Sequence, residues 1–216
     1  MMTIKKPVFS RIPLHCLPLL LLLSTTPLLA NQSGDPDLLQ RYLKQCPVAD
    51  GFDFPVGKPN AKKYYNAQKF GRNFHLGDDW NGIGGGNTDL GDPVYAIANG
   101  IVVSARIEPF KWGKVIRIIH NIGTKSKPRY VESVYAHLQH FKTKEGAKVR
   151  RGQLIGTIGT ANGAYKAHLH LEIRSRINMP IGTGYSKITT GYLDPTRFIR
   201  ENRPKHRRRK VRRSRK

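Results

Sequence analysis

The stretch "KAHLHLEIRS" alternates without a break, with His168, His170 and Glu172 at one parity and Leu169, Leu171 and Ile173 at the other. A strand turns successive side chains to opposite faces. This pattern therefore predicts a strand with an aliphatic side for a core and an imidazole side facing something else. From Gly51 onward the same texture recurs. The β-rich runs "PVYAIANGIVVSARI", "GKVIRIIHN", "YVESVYAHLQHF" and "GQLIGTIGT" are separated by Gly, Pro and Asn turns, with Asn-Gly signals in "IANG" and "TANG". No long window carries a 3.6-residue period. The expected fold class is all-β, a sandwich or barrel-like sheet of many short strands. Residues 31–50 read instead as a short helical or irregular lead-in, with Leu38, Leu39 and Leu43 as an apolar face. "LDPTRFI" reads as the closing turn, Phe198 and Ile199 packing back.

The start of the chain has another texture. Lys5, Lys6 and Arg11 precede the apolar run 17–23, and small and apolar residues continue to Ala30. That is the layout of an export signal. The run is too short, and too broken by Pro13, Pro18 and Pro27, for a comfortable membrane span. Cleavage after Ala30 is expected, with retention as an anchor the alternative; His15 ahead of Cys16 argues against a lipid-modified cysteine. The expected location is outside the cytoplasm, periplasmic or secreted and wall-associated. What remains has the size of one domain with extensions. Its single thiol, Cys46, allows no internal disulfide, so the core must rest on packing. A tolerated thiol is the expected reading and an inter-chain disulfide the alternative. The expected organisation is a signal (1–30), a lead-in (31–50), the main domain (51–200) and a disordered tail (201–216).

Charge changes the picture only in part. The formal net charge is +24. Residues 203–216, "RPKHRRRKVRRSRK", hold ten Lys and Arg and no acid, a block expected to stay disordered. An anionic partner is implied: an acidic cell-wall polymer, an anionic membrane surface or nucleic acid. Nucleic acid is not expected, because the export signal removes the chain from that compartment and no aromatic-interleaved RNA motif occurs.

Histidines supply the candidate chemistry. His75 and Asp79 stand four apart in "NFHLGDDWNG", His137 lies in "VYAHLQHF", and His168 and His170 share the alternating strand. Singly, each has an ordinary reading: a surface pair, a hydrogen-bonded histidine at a strand end, a polar sheet face. Together they offer the imidazole and carboxylate donors that zinc takes, three at a time, in catalytic sites, with a histidine to spare. One cysteine excludes thiolate ligation. The glycine-rich "NGIGGGNTDL" (residues 81–90) is not a phosphate loop, since no Lys-Ser/Thr follows; a flexible groove wall is expected.

The ordered set of motifs resembles the lysostaphin/LytM-type zinc metallopeptidases of bacterial cell-wall metabolism. His75-x-x-x-Asp79, "YAHL" and "HLHLEIR" match that family's pattern, as do "GDPVYAIANGIVV", "GAKVRRGQLIGTIGTANG" and "LDPTRFI". The resemblance runs from about Phe52 to Ile199. It implies an antiparallel sheet of the duplicated-hybrid-motif type forming a substrate groove. It also implies Zn²⁺ on His75, Asp79 and His170, with His137 and His168 handling the activated water and the transition state. Glu172 would be a hydrogen-bond partner behind the ligands, and Tyr64 or Tyr65 an additional oxyanion donor. His120 and His140 read as structural or surface residues. The implied activity is hydrolysis of peptide cross-links in peptidoglycan by a monomer. The alternative is a non-catalytic wall-binding or amidase-activating module, whose kind usually lacks one or more of these residues.

Overall fold

The computed structural model describes residues 36–204. The expected export signal and the cation-dense stretch 205–216 lie outside the described residues. The elements are α1 (Pro36–Gln45), β1 (Tyr64–Gln68), β2 (Asp78–Gly82), β3 (Pro93–Tyr95), β4 (Gly100–Glu108), β5 (Gly113–Asn121), β6 (Tyr130–Phe141), β7 (Lys148–Val149), β8 (Leu154–Ile158), β9 (Leu169–Arg174), β10 (Tyr192–Leu193) and α2 (Pro195–Glu201). The strands form one sheet along the path β1-β2-β9-β6-β5-β4-β7, with β10 on β9 and β8 joining β6 to β3. Every strand pair is antiparallel. The chain is all-β in class, as its alternation predicts.

The parity of β9 decides which side is which. Leu169, Leu171 and Ile173 are fully buried and join one core with Trp80, Ile116, Ile118, Tyr135 and Ile158. Removing such a side chain to alanine typically costs about 2–5 kcal/mol, which fixes the register of the strand. Because Asp79 of β2 and Ala136 of β6 both pair with His170, the other parity aligns these three on the opposite face.

That second face is covered unevenly. At one end α1 packs Leu39, Tyr42 and Leu43 against Cys46, Ile101 and Ile119, so the lead-in is a helix docked on the sheet. Cys46 is buried, its Sγ 3.3 Å from the Ile119 carbonyl, and burial pushes the thiol up to about 11. A buried, protonated thiol is poorly placed for an inter-chain disulfide.

In the middle, a ladder of buried charge lies under residues 175–184. Arg117 grips both Glu132 carboxylate oxygens at 2.8 and 2.9 Å. Arg174 pairs with Glu172 and donates to the carbonyls of Met179, Pro180 and Ile181 at 3.2, 3.2 and 3.1 Å. Only the far end of this face is left open, and there the histidines stand.

The closing turn forms as expected: Pro195 opens α2, and Asp194 caps it by accepting from Arg197 N at 2.9 Å. Order continues further than the sequence suggests. Arg203 pairs with Asp53 at 2.9 Å and donates to Phe52 O, Pro59 O and Asn60 Oδ1. Residues 201–204, expected as the start of a disordered tail, are therefore part of the fold, held by one guanidinium that donates to three acceptors and pairs with a carboxylate. Among the described residues, no helix is long and apolar enough to cross a membrane.

Candidate functional site

Adjacent aspartates show how strand parity builds the site. Asp78 turns to the core side, where its carboxylate accepts from Phe70 N, Thr196 N and Thr196 Oγ1. Asp79 turns to the open side, beside His170 of β9. His75 arrives on a tight turn in which Asn73 and Phe74 both have positive φ, and it then bridges to Tyr185. Bonds from Leu76 N to Gly184 O (2.9 Å) and from Ser186 N to Phe74 O (2.9 Å) fix that approach. Gly77 lets the intervening backbone pass against β9. A Cβ there would lie 2.5 Å from Leu171 O and 2.8 Å from His170 Cε1.

The result is a triangle of donor atoms. His75 Nε2 lies 3.0 Å from His170 Nδ1 and 3.3 Å from Asp79 Oδ1, and His170 Nδ1 lies 2.9 Å from Asp79 Oδ1. Ligands of tetrahedral zinc, bound at roughly 2.0–2.1 Å, stand about 3.3 Å from one another. The triangle fits a zinc-sized cation with its edges slightly contracted, and two imidazoles with one carboxylate are the donors zinc takes. Behind the triangle, His170 Nε2 faces Glu172 Oε1 at 3.4 Å, and Glu172 is held by Arg174. Imidazole ligands commonly have such a partner behind them.

The electrostatics follow from burial and pairing. Burial works to raise the Asp79 carboxyl, but hydrogen bonds from His170 and His75 prevail and hold it well below the usual carboxylate range. Burial works to lower His170, and its bonds to Asp79 and Glu172 reverse this, raising it to about 9. Burial, and then the neighbouring His170 and His168, depress His137 to about 3.

His137 reaches this face by an irregularity. Glu132, Val134 and Ala136 pair with Arg174, Glu172 and His170, so even positions of β6 share the histidine face. By parity His137 belongs with Tyr135, in the core. Between the pairs Ile116–Tyr135 and Lys114–Leu138, however, β5 has one residue and β6 has two. This bulge puts His137 in the left-handed region (φ 64), re-aims its ring and returns Leu138 to the core. His137 thus sits within a strand rather than at a strand end. Its backbone N–H donates to Trp112 O at 3.0 Å, and its Nδ1 lies 3.2 Å from the same carbonyl.

All five sequence-identified residues line one cleft of about 360 Å³. The His137 and His168 rings are 4.8 Å apart, and His168 Nε2 is 3.8 Å from Asp79 Oδ1. Asp79 is the one acid on the lining. Trp112, Tyr165 and Tyr185 complete the walls, their rings 5.2 Å from His170, 4.9 Å from His137 and 5.1 Å from His75 respectively. None of the three had a sequence signal beyond being aromatic.

Two expectations are revised here. Tyr64 and Tyr65 do not line this cleft; Tyr64 hydroxyl is bonded to Asp92, and both rings border a separate groove near α2. The tyrosines at the cleft are Tyr165 and Tyr185. Residues 81–90 are not among the cleft's lining either: a succession of turns holds them, and they pack behind β9 through Ala167. His120 is buried between Asn99 O and Ser133 Oγ, and His140 is exposed, in keeping with structural and surface roles.

Comparison with known proteins bears on these features. Residues 78–182 match the model of peptidase family M23, a span holding Asp79, His137, His168 and His170. The chain is 33% identical over 98 residues to glycyl-glycine endopeptidase ALE-1 of Staphylococcus capitis, covering 42% of this chain and 25% of the relative. It is 34% identical over 94 residues to peptidoglycan DD-endopeptidase ShyB of Vibrio cholerae, covering 44% and 20%. A solved structure of the antimicrobial peptidase lysostaphin from Staphylococcus simulans aligns over 64% of this chain and 50% of that one, at 26% identity and a TM-score of 0.49. The chain thus spans a quarter or less of the length of these two curated relatives. Residues 78–182 thus resemble peptidase family M23, and the chain is similar to endopeptidases that include lysostaphin.

Proposed function

We propose that this protein is an exported, monomeric zinc metalloendopeptidase that hydrolyses peptide cross-links of bacterial peptidoglycan. The observation that carries the reading is the convergence of His75 Nε2, Asp79 Oδ1 and His170 Nδ1, with His137 and His168 beside them in one cleft. His75, Asp79 and His170 would hold the ion. Zinc bound there supplies Lewis acidity, lowering the pKa of a water and polarising an amide carbonyl.

The chain's own residues do the rest. His137 and His168 each have Nδ1 on a backbone carbonyl, Trp112 O and Lys166 O, so each leaves Nε2 free for the cleft. His168 takes the proton of the attacking water and returns it to the departing amine, and His137 hydrogen-bonds the developing oxyanion's surroundings. Trp112 packs edge-on against His170 and Tyr185 lies tilted against His75, and the two rings exclude water from the backs of the donor imidazoles. The complete five-residue set supports an enzyme over an inert wall-binding or amidase-activating module of the same fold.

The relatives' printed activities, glycyl-glycine and DD-endopeptidase, support peptidoglycan as the substrate class. Digestion of purified muropeptides, read by mass spectrometry, tests the proposal. Cleavage is expected to stop on chelation and in His168→Ala. Undiminished cleavage by the chelated protein would overturn the metal mechanism. Residues 205–216 are proposed to hold anionic wall polymer or membrane; a salt-dependent wall pull-down with and without them is expected to show lower retention on truncation.

A further inference from the structure

The glycine-rich loop after β2 supplies no side chain to the cleft, yet it is closely tied to the strand that does. Gly82 N donates to Asp89 Oδ2 at 2.9 Å, Thr88 Oγ1 to Gly85 O at 2.7 Å, and Gly91 N to Ile158 O at 2.9 Å. These bonds close the loop on itself and on β8. They present Asn87 to the chain just ahead of β9. There Asn87 Oδ1 accepts from Ala167 N at 2.8 Å. From β2, Asn81 Nδ2 donates to Ala167 O at 3.2 Å. β2 and β9 last pair at Trp80–Leu169, so two asparagine side chains take over where the backbone ladder stops.

One of these bonds leads directly to the active-site face. The amide whose N–H belongs to Ala167 has as its carbonyl Lys166 O. That oxygen lies 2.8 Å from His168 Nδ1. A carbonyl can only accept, so Nδ1 carries the proton and Nε2 is left as the base facing Asp79 and the cleft. The two hydrogen bonds lie at opposite ends of one planar peptide unit. Each polarises the other, and fixing the N–H direction fixes the carbonyl direction.

We propose that Asn87 is a positioning residue that sets the orientation and tautomer of His168 through the Lys166–Ala167 peptide. The inference rests on the reading of His168 as the proton carrier, and it gives the loop a purpose: it acts on the reaction without touching substrate. Asn81 bonds the following amide, the one that ends in His168 N, whose carbonyl takes no bond from the His168 ring, so it should brace the strand without selecting the tautomer.

The test uses the full-length, zinc-loaded chain with ¹⁵N-labelled histidine, comparing the parent with Asn87→Ala, Asn87→Asp and Asn81→Ala. In the parent, the His168 imidazole is expected to be the Nδ1–H tautomer. Asn87→Ala should show a mixture of both tautomers and a kcat lowered about tenfold, within the range seen when such outer partners are removed, with KM nearly unchanged. Asn87→Asp keeps the acceptor oxygen and should restore both readouts. Asn81→Ala should lower the thermal midpoint and leave the tautomer unchanged. Unaltered His168 signals in Asn87→Ala, or an equal change in Asn81→Ala, would overturn the proposal. Parent-like cleavage by His168→Ala would overturn the catalytic reading instead, and the spectra would still decide what Asn87 does.

Discussion

His75 Nε2 and His170 Nδ1 stand 3.0 Å apart although 95 positions separate them in the chain. Asp79 Oδ1 is 2.9 Å from the second of these nitrogens and 3.3 Å from the first. Three lone-pair atoms this close need a proton or a cation among them. A cation bound only by the folded chain must stabilise it, by about 4 kcal/mol when the free ion is a thousandfold above its dissociation constant. Chelation is therefore expected to lower the thermal midpoint as well as end cleavage. His170→Ala and Asp79→Ala should each weaken zinc binding by more than the roughly 10–100-fold typical of outer partners, measured by competition with a chromophoric chelator. A thermal midpoint indifferent to chelation would argue that no ion resides there.

His137 offers a separation of chemistry from metal binding. It enters the cleft because β6 carries an extra residue, with φ 64 at the histidine itself. Asparagine tolerates that conformation, whereas a β-branched residue would not. His137→Asn is expected to fold with a near-parent thermal midpoint and bind zinc at near-parent affinity. Its kcat should fall by roughly 10²–10⁴, the usual worth of a positioned acid–base or hydrogen-bonding group. Muropeptide digestion and zinc titration of one preparation check both halves. Lost zinc binding would move His137 into the ligand set.

Gly77 lies between two of the proposed ligands, and the structure assigns it a steric duty. A methyl there would meet Leu171 O at 2.5 Å and His170 Cε1 at 2.8 Å, a backbone atom and a tightly packed ring. Neither can yield cheaply. Gly77→Ala is expected to destabilise the fold by about 1–3 kcal/mol in urea and to weaken zinc binding with it, since the ring that must move is that of His170. Parent-like zinc affinity in this variant would mean that β2 and β9 are not held as closely as described.

Much of this arrangement was legible in the chain. Alternation in "HLHLEIR" gave the strand, its core side and its imidazole side, and two co-facial residues needed nothing else. His75 and Asp79 were legible as a pair. What brings them to His170 is the antiparallel register of β2 on β9, a long-range pairing that no local pattern encodes. His137 was found by motif, while parity alone would have sent it to the core; a bulge is a property of two strands, visible only when their pairs are counted. Tyr64 and Tyr65 were plausible only by proximity in sequence. Tyr185 reaches the site because residues 183–186 bond to the chain around His75, and Trp112 because a hairpin turn brings it there. The ladder of Arg117, Glu132, Glu172 and Arg174 was hidden for a similar reason: single charges in a strand look solvated until a covering loop supplies carbonyls.

His120 stands apart from the cleft and carries a prediction about acid. It is fully buried, with Nδ1 2.9 Å from Asn99 O, Nε2 2.7 Å from Ser133 Oγ, and its ring edge-on to Phe52. Burial depresses its pKa from the ordinary 6.5 to about 4. Below about pH 6.5 the unfolded chain takes up a proton that the folded chain refuses, so stability rises with pH across this window. The contribution is fully present above about 6.5 and is lost as pH falls towards 4, amounting to about 3 kcal/mol for a shift of this size. The comparison is made with a variant, so that only this side chain changes. His120→Gln removes this titration and keeps an amide to bond Asn99 O or Ser133. It should be less stable than the parent at pH 7 and lose less on going from pH 6.5 to 4, in urea midpoints measured on metal-free protein. Parallel pH profiles for the two proteins would show that a neutral, buried His120 is not what acid works against.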